Sequence, residues 1–143
     1  MKIKSTVRLL PEGISYDSMD SPVGELVIVA SSQALHAILW DVILEHPVAA
    51  GAVRQLKKTE STNVITKTKK QLMEYFAGKR KIFDLPLSPQ GTAFQLQAWQ
   101  QLRAIPYGHT ISYGEQAQRL GNKNKSRAVG MANGCNPISI IIP

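Results

Sequence analysis

The sequence predicts an α/β amino-terminal domain over residues 1–87, followed by a mainly α domain over residues 88–143 built as a winged helix-turn-helix. Three observations carry that expectation. The first 40 residues hold short alternating or apolar runs of the period expected of half-buried strands. Residues 61–80 recur instead at helical spacing. Past Pro86, Pro89 and Gly91 the pattern is helical, with a Thr-x-x-Gln and a Ser-x-x-Glu marking two helix starts.

The runs Ile14 to Met19, Glu25 to Ala30 and Ala34 to Trp40 are separated by Ser-Pro-Val-Gly and Ser-Ser-Gln breaks, so they read as a β-meander. In the helix that follows, Ile65, Thr68, Leu72 and Phe76 share one face, Ser61 or Thr62 caps the start, and Gly78 takes the left-handed position after the end. The segment "IFDLPLSPQGT" reads as a last strand running into a linker, with the domain boundary near residues 87–91. Thr92 and Gln95 then open a helix with Phe94, Ala98, Leu102 and Ile105 on one face, closed by Pro106-Tyr107-Gly108. Ser112 and Glu115 form a second capping box at the head of a two-turn helix stopped by Gly121. After the loop "GNKNK", "SRAVGMAN" forms another short helix stopped by Gly134, and Ile138 to Ile142 reads as the wing strand.

Composition narrows the function. With 43% hydrophobic residues in 143, the chain has enough apolar material for a core and is not a disordered segment. No apolar run approaches the roughly 20 residues needed to span a bilayer, so no membrane role is expected and the cytoplasm is the expected compartment. Cys135, alone, makes no internal disulfide, and His36, His46 and His109 are too dispersed to form a metal site with it. The net charge of +7 favours a polyanionic partner. From Ser88 onward Arg103, Arg119, Lys123, Lys125 and Arg127 face a single acid, Glu115, a balance suited to phosphates.

The second helix of a helix-turn-helix enters a groove, so its side chains report what it reads. Here it carries Arg127 near its start and then Ala128, Gly130 and Ala132, with Val129 as anchor to the core. A reader of major-groove base edges needs several long polar side chains on that face. Small residues let the helix backbone approach closely, and a lone arginine suits insertion into the base stack or neutralisation of a phosphate. The same small residues would equally serve tight packing inside the protein.

The stretch from Gly91 to Pro143 resembles the carboxy-terminal domain of the methylated-DNA-protein-cysteine methyltransferases, which accept an alkyl group from guanine O6. Gly-Thr-x-Phe-Gln, Ile-Pro-Tyr-Gly, Ser-Tyr-Gly-Glu, Arg-Ala-Val-Gly and Asn-Pro-Ile-x-Ile-Ile-x-Pro occur in the family's order. "MDSPVGELVIVAS" is similar, less densely, to the family's ribonuclease-H-like α/β domain. The resemblance implies stoichiometric repair of O6-alkylguanine, with O4-alkylthymine as a further substrate, in double-stranded DNA by a monomer using a minor-groove helix-turn-helix. It implies no cofactor, because the alkyl group arrives on the DNA. Arg127 matches the arginine finger that fills the gap left by the flipped nucleotide. Tyr113 matches the tyrosine that helps rotate it and supports catalysis as a proton donor to the leaving base. Asn136 matches the asparagine that ties the recognition helix to the reactive strand, and Ser112 doubles as cap and phosphate contact. Ala128, Gly130 and Ala132 would face the groove. "KNKS" stands before Arg127 where the family often has Pro and Ala.

In the family pattern Pro143 is followed by Cys-His-Arg-Val, whose cysteine is the nucleophile. This sequence stops one residue short, and also lacks the activating histidine and a more distal glutamate. It is therefore expected to be a fragment, inactive as it stands. Cys135 does not fill the role: it follows a helix carboxy terminus, where the dipole opposes a thiolate, with no basic residue between Gly130 and Pro143. Two alternatives remain at this point, a non-catalytic binder of alkylated bases and a winged-helix regulator.

Overall fold

The computed structural model describes residues 13–40, 56–59 and 62–143. Ser61 as an alternative cap, and His46, lie outside the described residues.

Strands β1 (Ser15–Ser21), β2 (Gly24–Ala30) and β3 (Leu35–Trp40) form the expected meander, joined on the other flank of β1 by a two-residue β4 (Lys57–Lys58). The order is β3-β2-β1-β4, antiparallel except for the parallel β1–β4 pair. The β1–β2 register runs from Ser15 opposite Ala30 to Ser21 opposite Gly24, so Pro22 and Val23 alone make the loop. Gly24 there has φ 102, a conformation strained for any side chain. Leu26, Ile28, Leu35 and Ile38 point to one face of the sheet and join the large core, while Val27, Val29, Ala37 and Leu39 point to the other and pack with Ile14, Tyr16 and Leu56.

Helix α1 (Asn63–Phe76) lies on the first of these faces through Val64, Ile65 and Leu72. Its cap is Thr62, whose hydroxyl accepts from the Ile65 N–H. It ends in a Schellman motif: Gly78 has φ 74, its N–H bonds the Tyr75 carbonyl, and the Lys79 N–H bonds that of Glu74. Two polar contacts fix α1 against its neighbours. Buried Asp17 on β1 pairs with Lys69, and buried Gln71 exchanges two 2.9 Å hydrogen bonds with the backbone of Asp84.

The last strand expected at the start of the 82–92 segment, ahead of its linker, does not form. Only Leu87 bridges Leu35, through Leu35 N–H to the Pro86 carbonyl and Ser88 N–H to the Leu35 carbonyl. Pro86 and Pro89 have no N–H to donate, which confines the pairing to the residues between them. Buried His36 fastens the same segment, one ring nitrogen 2.8 Å from the Ser88 carbonyl and the other 3.1 Å from the Ser31 hydroxyl.

Helices α2 (Ala93–Arg103), α3 (Tyr113–Arg119) and α4 (Ser126–Gly134) follow, with a 3₁₀ turn over Lys123–Lys125. Thr92 and Gln95 form the full reciprocal capping box of α2. At α3 only half the expected box exists: Ser112 Oγ accepts from the Glu115 N–H, while the Glu115 carboxylate pairs with Arg119 at 2.7 Å. Gly121, with φ 98, stops α3 as expected, whereas Gly134 is the last residue of α4 and Cys135 is its cap.

The wing strand over 138–142 is also absent. Ile138 makes a single parallel bridge to Ile38, after which the chain turns. Asn136 causes the bend, its amide donating to the Ile142 carbonyl at 2.7 Å and its carbonyl oxygen accepting from the Ile138 N–H at 3.0 Å. Ile140 is held at φ 75, unfavourable for a β-branched residue. One apolar core runs from Leu26 and Ile65 through Trp99 and Leu102 to Ile138, Ile141 and Ile142, so segments on both sides of residues 87–91 share it.

Candidate nucleic-acid interface

The geometry of the helix-turn-helix is set from below. Val129 and Ala132 are the buried residues of α4 and seat it against the core. Trp99 of α2, itself 2% exposed, donates its indole N–H to the Ala132 carbonyl at 2.8 Å. The indole occupies the space beside Gly91, where a Cβ would lie 2.6 Å from the ring. A second tie joins α3 to α4: Gln116 donates to Asn133 Oδ1 at 3.2 Å and Asn133 donates back to Gln116 Oε1 at 2.8 Å. Gln116 Nε2 also reaches the Ala98 carbonyl of α2 at 3.1 Å, so this buried side chain is satisfied by both neighbouring helices.

With that face committed inward, α4 presents Arg127, Ala128 and Met131 to solvent. Tyr113, the first residue of α3 and 55% exposed, lays its ring on Gly130: a Cβ at residue 130 would lie 3.1 Å from Tyr113 Cε2. Residues 127 and 130 are neighbours on a helix surface, so Arg127 and Tyr113 flank the same short stretch of α4. Ser112 is exposed beside them as the α3 cap. Asn136 stands apart from that face and holds the closing turn. Ala132 requires a correction. At 3% exposed it faces the core, because it is one of the two positions by which α4 is seated.

Lys123, Lys125 and Arg127 are exposed, and no ion pair engages them among the described residues. Lys125 Nζ sits 5.6 Å from the Phe94 ring centroid, which holds this charge at the start of α4. No side chain caps α4, which continues directly from the 3₁₀ turn over Lys123–Lys125. Small exposed residues, an arginine, a phenol and unpaired cations suit a phosphate-bearing strand approached closely by the helix backbone.

Cys135 is half-buried against the apolar core at the carboxy-terminal end of α4. The two described histidines are engaged elsewhere, His36 with Ser88 and Ser31 and His109 with the Tyr107 carbonyl. A groove of about 930 Å³ lies apart from α4, lined by Tyr75, Phe83, Arg103, Tyr107, Ile140 and Pro143 among others. No three His, Cys, Asp or Glu side chains converge as metal ligands among the described residues, and no described helix is long and apolar enough to cross a membrane.

Sequence reasoning missed Trp99, Gln116 and Met131. The first had a signal, since it shares the Ala98–Leu102 face of α2. Gln116 had none, because a polar residue buried by a partner 17 positions away leaves no local pattern, and Met131 stands exposed among small residues outside any apolar face.

Residues 14–89 match the family model for the 6-O-methylguanine DNA methyltransferase ribonuclease-like domain, and residues 93–143 match that for the 6-O-methylguanine DNA methyltransferase DNA binding domain. The methylated-DNA–protein-cysteine methyltransferase of Shigella flexneri is 39% identical over 143 residues, covering 96% of this chain and 80% of the relative. That of Methanosarcina acetivorans is 36% identical over 135 residues, covering 90% of this chain and 79% of the relative. The crystal structure of Mycobacterium tuberculosis O6-methylguanine methyltransferase superposes with a TM-score of 0.78 at 37% identity, over 91% of this chain and 75% of that one. The structure of Mycobacterium tuberculosis OGT in complex with DNA gives 0.77 at 36%, over 90% and 74%. The two family models together cover the sheet, α1 and the whole helix-turn-helix, and the chain belongs to the 6-O-methylguanine DNA methyltransferase family.

Proposed function

We propose that the protein serves DNA repair by removing alkyl groups from guanine O6, and from thymine O4, in double-stranded DNA, as a monomer in the cytoplasm and without a cofactor. The ribonuclease-H-like domain is residues 1–87, and residues 88–143 carry the helix-turn-helix. The observation that supports this reading best is the seating of Tyr113 on Gly130 beside exposed Arg127. In this reading Ala128 and Gly130 bring α4 into the minor groove. Ser112 contacts a phosphate, Arg127 fills the gap left by the rotated nucleotide, and Asn136 braces the segment leading to the reactive cysteine. That cysteine belongs to the Cys-His-Arg-Val that follows the residue matching Pro143 in the family pattern. Its thiolate forms the new S–C bond as the C–O6 bond breaks, and the guanine departs with the electron pair, taking a proton from the Tyr113 hydroxyl. A thioether has no return path, so each molecule acts once.

Intact mass after incubation with a duplex carrying O6-methylguanine tests this. The chain ending at Pro143 is expected to keep its mass, and one extended through Cys-His-Arg-Val to gain one methyl group, mapped to the added cysteine. A methyl group on Cys135 would overturn the reading. Tight binding of the lesion by the extended chain with no adduct would favour a non-catalytic binder of alkylated bases.

A further inference from the structure

Met131 lies one turn beyond Arg127 on the same face of α4 and is 61% exposed. Its neighbours on that face are small, Ala128 and Gly130, and the basic groups Lys123, Lys125 and Arg127 border the helix start. A long apolar side chain on such a surface has a definite consequence. A helix that approaches a groove by its backbone is propped away by a projecting thioether unless the groove makes room for it. Four residues of helix advance about 6 Å, close to two base-pair rises, so Met131 cannot occupy the gap that Arg127 fills. Room exists only between the deoxyriboses of the groove wall or at an adjoining base step. Methionine is unbranched with three rotatable bonds, so it adapts to either without a fixed shape.

We propose that Met131 is an apolar wedge of the minor-groove interface, pressing on sugars and loosening the base step next to the one that Arg127 enters. The inference rests on the DNA-repair reading and deepens it. It assigns to α4 a second insertion point that differs from the arginine in carrying no charge. The wedge contributes through burial of apolar surface, so its share of the affinity is insensitive to salt. Every lysine or arginine contact, by contrast, contributes counterion release.

That difference supplies the test. Binding of the 143-residue chain to a duplex with O6-methylguanine, and 2-aminopurine at the adjoining base, is measured across a salt series. Met131→Ala is expected to weaken binding about fivefold to tenfold, as befits partial burial of one methionine side chain, with the slope of log K against log salt unchanged. Lys125→Ala is expected to reduce that slope by about one. The 2-aminopurine should brighten with the parent chain and much less with Met131→Ala, and Met131→Leu should restore both affinity and brightening. Equal affinity of Met131→Ala and parent, a changed slope for Met131→Ala, or rescue by Met131→Lys but not by Leu would overturn the wedge. If neither the parent chain nor one extended through Cys-His-Arg-Val binds the duplex, the repair reading falls with it. If the parent binds and Arg127→Ala weakens it while Met131→Ala does not, the wedge alone fails.

Discussion

Arg127 is the residue on which duplex recognition turns in the proposed function, and its exposure means that its removal leaves the fold intact. Opening a stacked pair costs a few kcal/mol, and an inserted side chain prevents reclosure. In a chain extended through Cys-His-Arg-Val, Arg127→Ala is expected to slow methyl transfer from duplex DNA by about tenfold to a hundredfold. Transfer from free O6-methylguanine, which needs no flipping, should stay within about twofold of the parent. Rates from a single-turnover assay on both substrates check this, and equal losses would remove the finger role. Asp17 carries a different burden. Burial raises its pKa, but the hydrogen bond from Lys69, the Ser18 N–H and the charges of Lys69 and Lys58 outweigh that and hold the carboxyl below its ordinary value of 3.8. A carboxyl with a depressed folded pKa contributes stability that is present above its unfolded pKa and lost as pH falls through the folded one. Asp17→Asn should therefore cost about 1–3 kcal/mol in urea unfolding at pH 7. The gap between variant and parent should close below about pH 4.

Among helices, the α3–α4 pair meets at Gly130, the position where the proposed function also brings α4 close to DNA. Alanine there gains about 0.5–1 kcal/mol of helix propensity over glycine. Its Cβ would meet the Tyr113 ring at 3.1 Å, and that ring is exposed enough to swing aside. Gly130→Ala is thus expected to leave the melting temperature unchanged or slightly raised while weakening lesion-duplex binding about tenfold. Calorimetry and a binding titration on the same sample check both halves, and a lowered melting temperature would show that Tyr113 is fixed in place. The elements themselves were largely legible. The strands, the caps Thr62 and Thr92, and the stops Gly78 and Gly121 stand within a few residues of where local pattern places them. The failures share a cause. Residues 82–92 and 138–142 have strand-like composition, but a strand needs partners. Prolines in the first, and the Asn136 side chain in the second, consume or remove the backbone groups that partners would use.

The whole molecule depends on contacts that no local pattern encodes. His36, read from sequence only as a dispersed histidine, fastens the sheet to Ser88, 52 residues away. Gln116 and Asn133 look like surface amides and form the clamp between the helix-turn-helix helices. Arg127 and Tyr113, to which the proposed function gives the chemistry, stand inside dense motifs, whereas Ala132, read as facing the groove, is buried, since small residues suit a groove and a core equally. At the centre of these contacts lies Trp99, bonded to α4 by its indole N–H. That bond makes the protein its own optical gauge. The chain has two tryptophans, and Trp40 is 37% exposed, so Trp40→Phe leaves emission from a single buried indole whose environment is α4 itself. Because Trp99, Gln116 and Asn133 hold α4 to its scaffold, the helix should meet DNA as a rigid piece. The emission maximum should then stay blue, and iodide quenching low, as lesion-bearing duplex is added. A red shift on binding would instead reveal that the duplex levers the helix off its seat.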